Sequence, residues 1–342
     1  MNSHSQRKRD HVEICLHDDI EHKVSSGFDS YAFVHNALPE INIQDIDQSV
    51  NIFGRSFSYP IFISGMTGGF DYAESINGDL AELCNELSIP MVLGSQRSMM
   101  TDAENSKSFT IAREVAPDIC LSANIGATEI ANLHNHDGIY GIIDSINANW
   151  LTIHVNPLQE LFQPEGNTNF SGVLRGIAEC KKRLSIPIVV KEVGSGISLS
   201  VAKRLCDIGV DGIDVAGKGG TSWSAVEMKR NDQENSEYFK EWGIETSDCL
   251  LTLRSFCKEN NITLFSSGGI RTPHDIAMSI AMGATSVGMA RPILVAYHSG
   301  GVSKVKEMIL QYMKDIQRIM FLTGSKNSEE LLSAEFVKRH RN

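Results

Sequence analysis

Residues 151–160, Leu-Thr-Ile-His-Val-Asn-Pro-Leu-Gln-Glu, contain a short apolar strand pattern that stops at a proline. Pro157 has no N–H to donate to a β-ladder, so the strand ends before it. In a parallel α/β barrel, the carboxyl ends of the strands carry the chemistry. In another fold, the same polar residues would form only a strand-to-helix connection. The polar side chains that crowd this end are His154, Asn156, Gln159 and Glu160.

The same pattern recurs from residue 60 onward, with short apolar runs that are each followed by a polar or glycine-rich turn and a helical periodicity. Continuous apolar runs are typical of strands buried on both faces of a parallel sheet. Strand–helix units in series predict an α/β fold, the (β/α)8 TIM barrel, and a doubly wound sheet ranks second. The predicted strands are 61–64, 90–93, 119–123, 151–155, 188–190, 212–215, 263–265 and 286–289.

The regions outside these units predict the domain organisation. The connection after the sixth strand is too long for a simple turn, which is typical of a lid over an active site. From composition alone, the polar start of the chain is a solvated tail, and residues 28–58 are irregular structure. We predict an N-terminal extension (1–58) that packs on the barrel and has a basic start (7–11), a barrel (59–323) with a lid-like insertion (222–246), and a C-terminal helical tail (324–342).

The composition is that of an acidic globular protein. The 342 residues carry a net charge of −11, which disfavours nucleic acid and anionic membranes as partners. Seven cysteines without C-x-x-C spacing predict reduced thiols, as in a cytoplasmic protein. The first residues show no apolar leader, and the apolar tract 276–297 divides better into a helix and a strand than into a membrane span. We therefore expect a small-molecule substrate.

Two glycine-rich loops predict a phosphate site. Gly268–Arg271 and Ala290–Arg291 follow the last two strands, where barrels most often hold a phosphate group. Gly65–Gly69 could lie flat against a planar ring, and Lys191 could stabilise negative charge on a reduced ring. Together these features suggest flavin mononucleotide (FMN). The alternative is that the glycines make tight turns and that Lys191 forms an ion pair with Glu192.

Six motifs, in order along nearly the whole chain, resemble one family, the flavin-dependent type 2 isopentenyl-diphosphate isomerases. The motifs are Arg7-Lys8-x-Asp10-His11, Phe33-Val34-His35-Asn36-Ala37-Leu38-Pro39, Gly65-Met66-Thr67-Gly68-Gly69, Ser95-Gln96-Arg97, His154-x-Asn156-x-x-Gln159-Glu160 and Thr221-Ser222-Trp223.

The resemblance implies the interconversion of isopentenyl and dimethylallyl diphosphates. It implies reduced FMN, NADPH or another donor as the reductant, Mg²⁺ on the diphosphate, and a homo-oligomer, either a homotetramer or an octamer. It implies catalytic roles for Gln159, Trp223 and Glu227, and Glu160 as the metal ligand. The implied substrate-binding residues are Arg7, Lys8, Ser95, Gln96, Arg97, His154, Asn156 and Gln159. The implied FMN-binding residues are Gly65, Met66, Thr67, Ser95, Asn124, Lys191, Thr221, Gly269, Ile270, Arg271, Ala290 and Arg291.

The chemistry agrees with this resemblance. A 1,3-allylic proton shift needs an acid and a base at the alkene, and no ordinary pair of side chains here is an evident match, whereas a reduced flavin can supply both. One departure is Ala216, where relatives often carry serine, so that one cofactor hydrogen bond is in doubt.

Three alternatives stay open at this stage. An FMN-dependent α-hydroxy-acid oxidase would need a histidine base, and the Gly-Lys-Gly-Gly-Thr loop at 217–221 has none. An inosine-monophosphate-dehydrogenase-like enzyme would need a nucleophilic cysteine on a barrel loop, and residues 207–248 contain none. A non-enzymatic flavin-binding protein would not need Glu160 or the Arg7-Lys8 pair.

Overall fold

The computed structural model describes residues 3–100, 106–132, 134, 136–231 and 237–339. Most of its helices alternate with strands, as the sequence pattern predicts. The helices in the described part of the chain are α1 (Ser3–His17), α2 (Asp71–Leu87), α3 (Lys107–Val115), α4 (Ala127–Ala131), α5 (His136–Ser145), α6 (Pro157–Phe162), α7 (Val173–Arg183), α8 (Leu199–Asp207), α9 (Trp223–Arg230), α10 (Glu237–Lys240), α11 (Thr246–Glu259), α12 (Pro273–Ala281), α13 (Arg291–Thr323) and α14 (Ser328–Leu332).

The central strands form a closed parallel barrel, which confirms the TIM-barrel prediction. Neighbours in the barrel follow chain order from β4 (Ile61–Ile63) to β11 (Ser286–Met289), and β11 pairs with β4 to close it. The strands are β1 (Tyr31–Phe33), β2 (Val50–Ile52), β3 (Arg55–Phe57), β4 (Ile61–Ile63), β5 (Met91–Val92), β6 (Leu121–Gly126), β7 (Trp150–His154), β8 (Ile188–Lys191), β9 (Gly212–Asp214), β10 (Thr263–Ser266), β11 (Ser286–Met289) and β12 (Phe336–Lys338).

The register of the barrel strands sets which side chains meet at their carboxyl ends. Gly126 of β6 pairs with His154 of β7, His154 pairs with Lys191 of β8, and Lys191 pairs with Asp214 of β9. The last residues of four neighbouring strands therefore lie at one level of the barrel. The polar residues predicted to converge at this end are placed there by the pairing itself.

The opposite end of the barrel is closed by a hairpin of β2 and β3. Its turn residues Phe53 and Gly54 both have positive φ angles, 51° and 79°, as a two-residue hairpin turn requires. The Phe53 ring packs at 5.9 Å from the Trp150 ring and 6.0 Å from the Phe265 ring. This hairpin lies in the extension that the composition presents as irregular, so that part of the prediction is wrong.

The start of the chain differs in the same way, because it forms the helix α1 rather than a solvated tail. Val12, Ile14 and Cys15 are buried on one face of α1. That apolar face is too short to stand out in the polar composition of the segment. Its burial nevertheless docks the basic residues of the same helix onto the barrel.

The C-terminal segment, for which the sequence predicts a helical tail, contains the short helix α14 and ends as a strand. After α14, β12 pairs antiparallel with β1, so that Ala32 lies opposite Val337. The strand pairing depends on a partner about three hundred residues away, which no local pattern indicates. The seven cysteines are free thiols, as predicted. None of the described helices has the length and hydrophobicity that crossing a bilayer requires.

Candidate active site

A cavity lies at the carboxyl ends of the barrel strands, roofed by α1 and α9. Most of the predicted site residues line it, but Thr67, Gln96 and Glu227 do not. The predicted residues that do line it are Arg7, Lys8, Gly65, Met66, Ser95, Arg97, Asn124, His154, Asn156, Gln159, Glu160, Lys191, Thr221, Trp223, Gly269, Ile270, Arg271, Ala290 and Arg291.

The cavity is strongly cationic beneath α1. Arg7, Lys8 and Arg97 all line it, and Arg97 donates to Glu129 across 3.0 Å. Burial, together with the neighbouring Arg7 charge, lowers the pKa of Lys8 from 10.5 to about 7. Within the described residues, no carboxylate pairs with the Lys8 ammonium. A partly buried cation without a protein counter-charge is suited to an anionic ligand.

His154 enters the cavity as a neutral ring. Burial, and then the charges of Lys191 and Lys8, lower the pKa of His154 to about 3. The Asn124 amide donates to Leu93 O at 2.8 Å, so its oxygen accepts from His154 Nδ1 at 2.8 Å. His154 Nε2 then carries the lone pair. The cationic charge at neutral pH therefore comes from the arginines and lysines around it.

The 156–160 turn forms a network of amides and one carboxylate. Asn156 Nδ2 donates to Gln159 Oε1 at 3.1 Å and to Glu160 Oε1 at 3.0 Å. The other Glu160 oxygen accepts from the backbone N–H of Asn167 at 2.6 Å. Each carboxylate oxygen has further lone pairs, and Glu160 borders the cavity, so it can still bind a cation there.

Glu227 lies behind this network rather than in the cavity. Its side chain is 0% exposed, and its Oε1 accepts from Gln159 Nε2 at 2.9 Å. Its Oε2 accepts from Arg230 Nε at 3.0 Å. Although burial alone raises the pKa of Glu227, hydrogen bonds and nearby positive groups bring it below its ordinary value. Glu227 thus reaches the site through Gln159, whereas Trp223, one turn earlier on α9, borders the cavity directly.

Gln96 also lies outside the cavity, and it supports Asn124. The Gln96 side chain is fully buried, its Oε1 accepts from Asn124 N at 2.9 Å, and its backbone N–H donates to Asn124 O at 2.8 Å. Ser95 and Arg97 on either side do face the cavity. The structure therefore places Gln96 as a support for the strand end and not against a diphosphate.

The opposite wall of the cavity is glycine-rich. A Cβ atom at Gly65 would lie 2.5 Å from Leu93 O, and one at Gly269 would lie 2.6 Å from Gly219 O, so both positions need glycine because neighbouring backbone packs against them. The Thr67 hydroxyl is buried and has no hydrogen-bond partner within the described residues. Lys191 faces the same wall, and its ammonium donates to Glu192 O at 2.6 Å. A side-chain-free wall with a lysine and an unsatisfied hydroxyl beside it fits a flat heteroaromatic ring.

The predicted phosphate end contains a carboxylate that the sequence did not indicate. Glu21 Oε1 accepts from Arg291 Nη1 at 2.6 Å and also from Arg271 Nη2. Burial by itself raises the pKa of Glu21, but the two guanidiniums bring it below its ordinary value. Ala290 is the N-cap of α13 and offers no capping side chain, so first-turn N–H groups can face an anion.

Comparisons with known proteins agree with this geometry. Residues 155–339 match the family model of FMN-dependent dehydrogenases. Isopentenyl-diphosphate delta-isomerase of Thermococcus kodakarensis is 42% identical over 97% of this chain and 90% of its own length. The isomerase of Pelodictyon phaeoclathratiforme is 40% identical, over 96% and 95% respectively.

The solved structures that resemble the chain share its fold. The flavin-binding domain of baker's yeast flavocytochrome b2 superimposes with a TM-score of 0.69 at 17% identity, covering 95% of this chain and 81% of that domain. A mandelate oxidase superimposes with a TM-score of 0.69 at 14% identity, covering 98% and 97%. At these identities the likeness supports the barrel alone, whereas the relatives above match over nearly their full length. On that full-length similarity, the chain belongs to the isopentenyl-diphosphate delta-isomerase family.

Proposed function

We infer that this protein interconverts isopentenyl diphosphate and dimethylallyl diphosphate by a 1,3-allylic proton shift, with FMN as its cofactor. The inference rests on one observation, a single cavity whose two walls differ in chemistry. Lys8, a cation with no carboxylate partner in the described residues, lies on one side, and the glycine wall with Lys191 lies on the other. A diphosphate and a flavin ring are complementary to these two walls.

FMN fits the residues present. Gly65 and Met66 line the cavity and would lie against the ring, and Thr67, whose hydroxyl lacks a partner among the described residues, follows them in the same loop. Asn124, Lys191 and Thr221 would contact the ring edge, while Gly269–Arg271 and Ala290–Arg291 would hold the phosphate. Reduced FMN would supply the acid–base group at the alkene, for which no ordinary pair of the described side chains around the cavity is an evident match.

The residues of the chain then bind and orient the substrate. Arg7, Lys8 and Arg97 hold the diphosphate by charge, and Ser95 supplies a hydroxyl beside them. Gln159, whose amide is fixed between Asn156 and Glu227, orients the reacting carbons without exchanging protons itself. Trp223 covers the apolar part of the substrate and keeps water away from a developing cation.

Mg²⁺ would bind to the diphosphate and to Glu160. Mg²⁺ prefers one or two carboxylates, with phosphate oxygens and waters completing its octahedron. The described residues contain no cluster of three or more acidic, histidine or cysteine ligands, so a protein-only cage is not formed there. A single carboxylate at the edge of a diphosphate site is consistent with this mode of binding.

Three further parts of the proposal concern the reductant, the oligomeric state and the cellular location. NADPH or another donor would reduce the flavin before turnover. The active form would be a homo-oligomer, a homotetramer or an octamer. Free thiols throughout the chain are consistent with the reducing cytoplasm.

The decisive experiment is anaerobic NMR of isopentenyl diphosphate with purified protein, chemically reduced FMN and Mg²⁺. The expected result is the appearance of the dimethylallyl methyl signals, at a rate that rises with enzyme concentration. Oxidised protein and a sample without flavin are the controls. An oxidised substrate product, or no product with full flavin occupancy, would reject the isomerase assignment.

A further inference from the structure

His11 of α1 contacts the Glu227 carboxylate that Gln159 also contacts. His11 Nε2 lies 2.9 Å from Glu227 Oε1, the same oxygen that accepts from Gln159 Nε2. The contact is bent rather than aligned as a straight hydrogen bond. The His11 ring also packs edge-on against Trp223, with the ring centroids 5.2 Å apart. On α9, this histidine therefore contacts Glu227 and Trp223, the two residues that support or border the reacting end of the site.

His11 shares a face of α1 with the residues that bind the diphosphate. Arg7 and Lys8 precede it by four and three residues, so all three side chains face the cavity. Burial lowers the pKa of His11, although its contact with Glu227 opposes that effect. The helix thus presents two cations to the diphosphate and a polar ring to Glu227.

Glu227 is held from several directions. Arg230 binds Glu227 Oε2 at 3.0 Å and forms a two-pronged ion pair with Glu165, at 2.9 and 2.6 Å. Arg7 Nη1 lies 3.8 Å from the same Glu165 carboxylate. The network from the substrate end of α1 thus reaches Glu227 by two routes, one through Arg230 and one through His11.

We propose that His11 is a positioning residue, which links the diphosphate-binding helix α1 to the Gln159 carboxamide through Glu227. The proposal rests on the proposed function, because it assumes that Gln159 contacts the substrate. If Glu227 loses its contact with His11, its carboxylate is free to rotate, and the Gln159 amide loses a fixed acceptor. Arg7 and Lys8 do not depend on that contact, so the diphosphate stays bound.

The test compares His11→Leu, which has a similar volume but no polar side-chain atom, with His11→Gln, which keeps an N–H donor at a similar distance from the backbone. His11→Leu should lower kcat about tenfold to a hundredfold and change KM less than about threefold. His11→Gln should restore most of kcat. His17→Gln is the matched control, since its side chain is 56% exposed on the same helix, and it should be unchanged.

A double-mutant cycle with Glu227→Gln gives a second readout. If His11 acts through Glu227, adding His11→Leu to Glu227→Gln should cost less than about threefold in kcat. A purely structural role for His11 would undock α1, raise KM strongly and leave kcat unchanged, which would overturn the proposal. Full additivity in the cycle, or a His11→Gln enzyme as slow as His11→Leu, would overturn it as well.

The failure of the proposed function would look different from the failure of this inference. A wild-type protein that holds FMN but does not isomerise isopentenyl diphosphate would reject the proposed function, and with it this inference. A wild-type enzyme that turns over, with a His11→Leu variant equal to it in kcat, would overturn only the role of His11. Flavin absorbance of each variant shows that cofactor loss is not the cause of a change.

Discussion

The lowered pKa of Lys8 predicts that diphosphate binding takes up a proton. With a pKa of about 7 in the free protein, Lys8 is half neutral at neutral pH. A bound diphosphate favours the ammonium form and raises that pKa, so only the protonated enzyme binds well. The apparent dissociation constant should then rise about tenfold per pH unit above pH 7, and reach roughly a hundredfold weakening at about pH 9.

The assay is calorimetric titration of Mg-pyrophosphate into the FMN-loaded protein, in two buffers that differ in ionisation enthalpy. Wild type should take up about half a proton at about pH 7 and nearly one at about pH 8. Lys8→Arg, whose guanidinium stays charged, should take up roughly one proton fewer at about pH 8. His154 is neutral in the free protein throughout this range, because its pKa is held at about 3 there.

Subtracting the Lys8→Arg titration removes the ionisation of pyrophosphate itself. Lys8→Met should bind weakly at every pH and show the same proton uptake as Lys8→Arg. Equal proton uptake in wild type and Lys8→Arg would refute the reasoning, since the titrating group would then lie elsewhere. A wild-type affinity that does not weaken above about pH 7 would refute it too.

Four further outcomes are expected. Glu160→Gln should retain FMN but lose most activity and its dependence on Mg²⁺. Gln159→Asn should keep the Mg²⁺ dependence and turn over slowly. Titrating Mg²⁺ into both variants at saturating substrate distinguishes these two outcomes. Glu227→Gln should lower kcat by about tenfold or more while flavin absorbance stays at the wild-type level. An unchanged kcat would mean that Glu227 has only a packing role. Ala216→Ser should tighten FMN binding by up to about tenfold, because the added hydroxyl can form a hydrogen bond with the cofactor. Flavin fluorescence titration of the apoprotein measures this affinity. Weaker binding would count against a hydrogen bond from residue 216 to FMN. Acid-denatured protein should release FMN, and release of FAD would contradict the single phosphate site.

The barrel could be predicted from the sequence because its signals are local. Each strand is a continuous apolar run that ends in a polar or glycine-rich turn, and chain order fixes the neighbours in space once the barrel closes. The strand ends then place His154 and Lys191 next to each other by register alone. The residues of 151–160 converge at the cavity for that reason.

The contacts that the sequence could not indicate are the long-range ones. Glu21 and Arg271 are 250 residues apart, and nothing in the polar stretch around Glu21 marks it as the partner of two arginines. Glu227 could be placed on the same helical face as Trp223, but its complete burial depends on how α9 packs. Gln96 belongs to a motif that resembles the family, and only the fold reveals that its amide is used by Asn124.

The position of α1 shows how part of the positive charge at the cavity comes from outside the barrel. The strand ends are packed against one another, and they contribute a neutral histidine and a lysine already bonded to a carbonyl oxygen. Several cations cannot be buried side by side on neighbouring strands without a large desolvation cost. A separate amphipathic helix brings them over the cavity from above, where an anionic substrate completes the charge balance. The same segment then continues to Glu21, between Arg271 and Arg291, so one stretch of chain contacts both the cationic end of the cavity and the end proposed to hold the FMN phosphate.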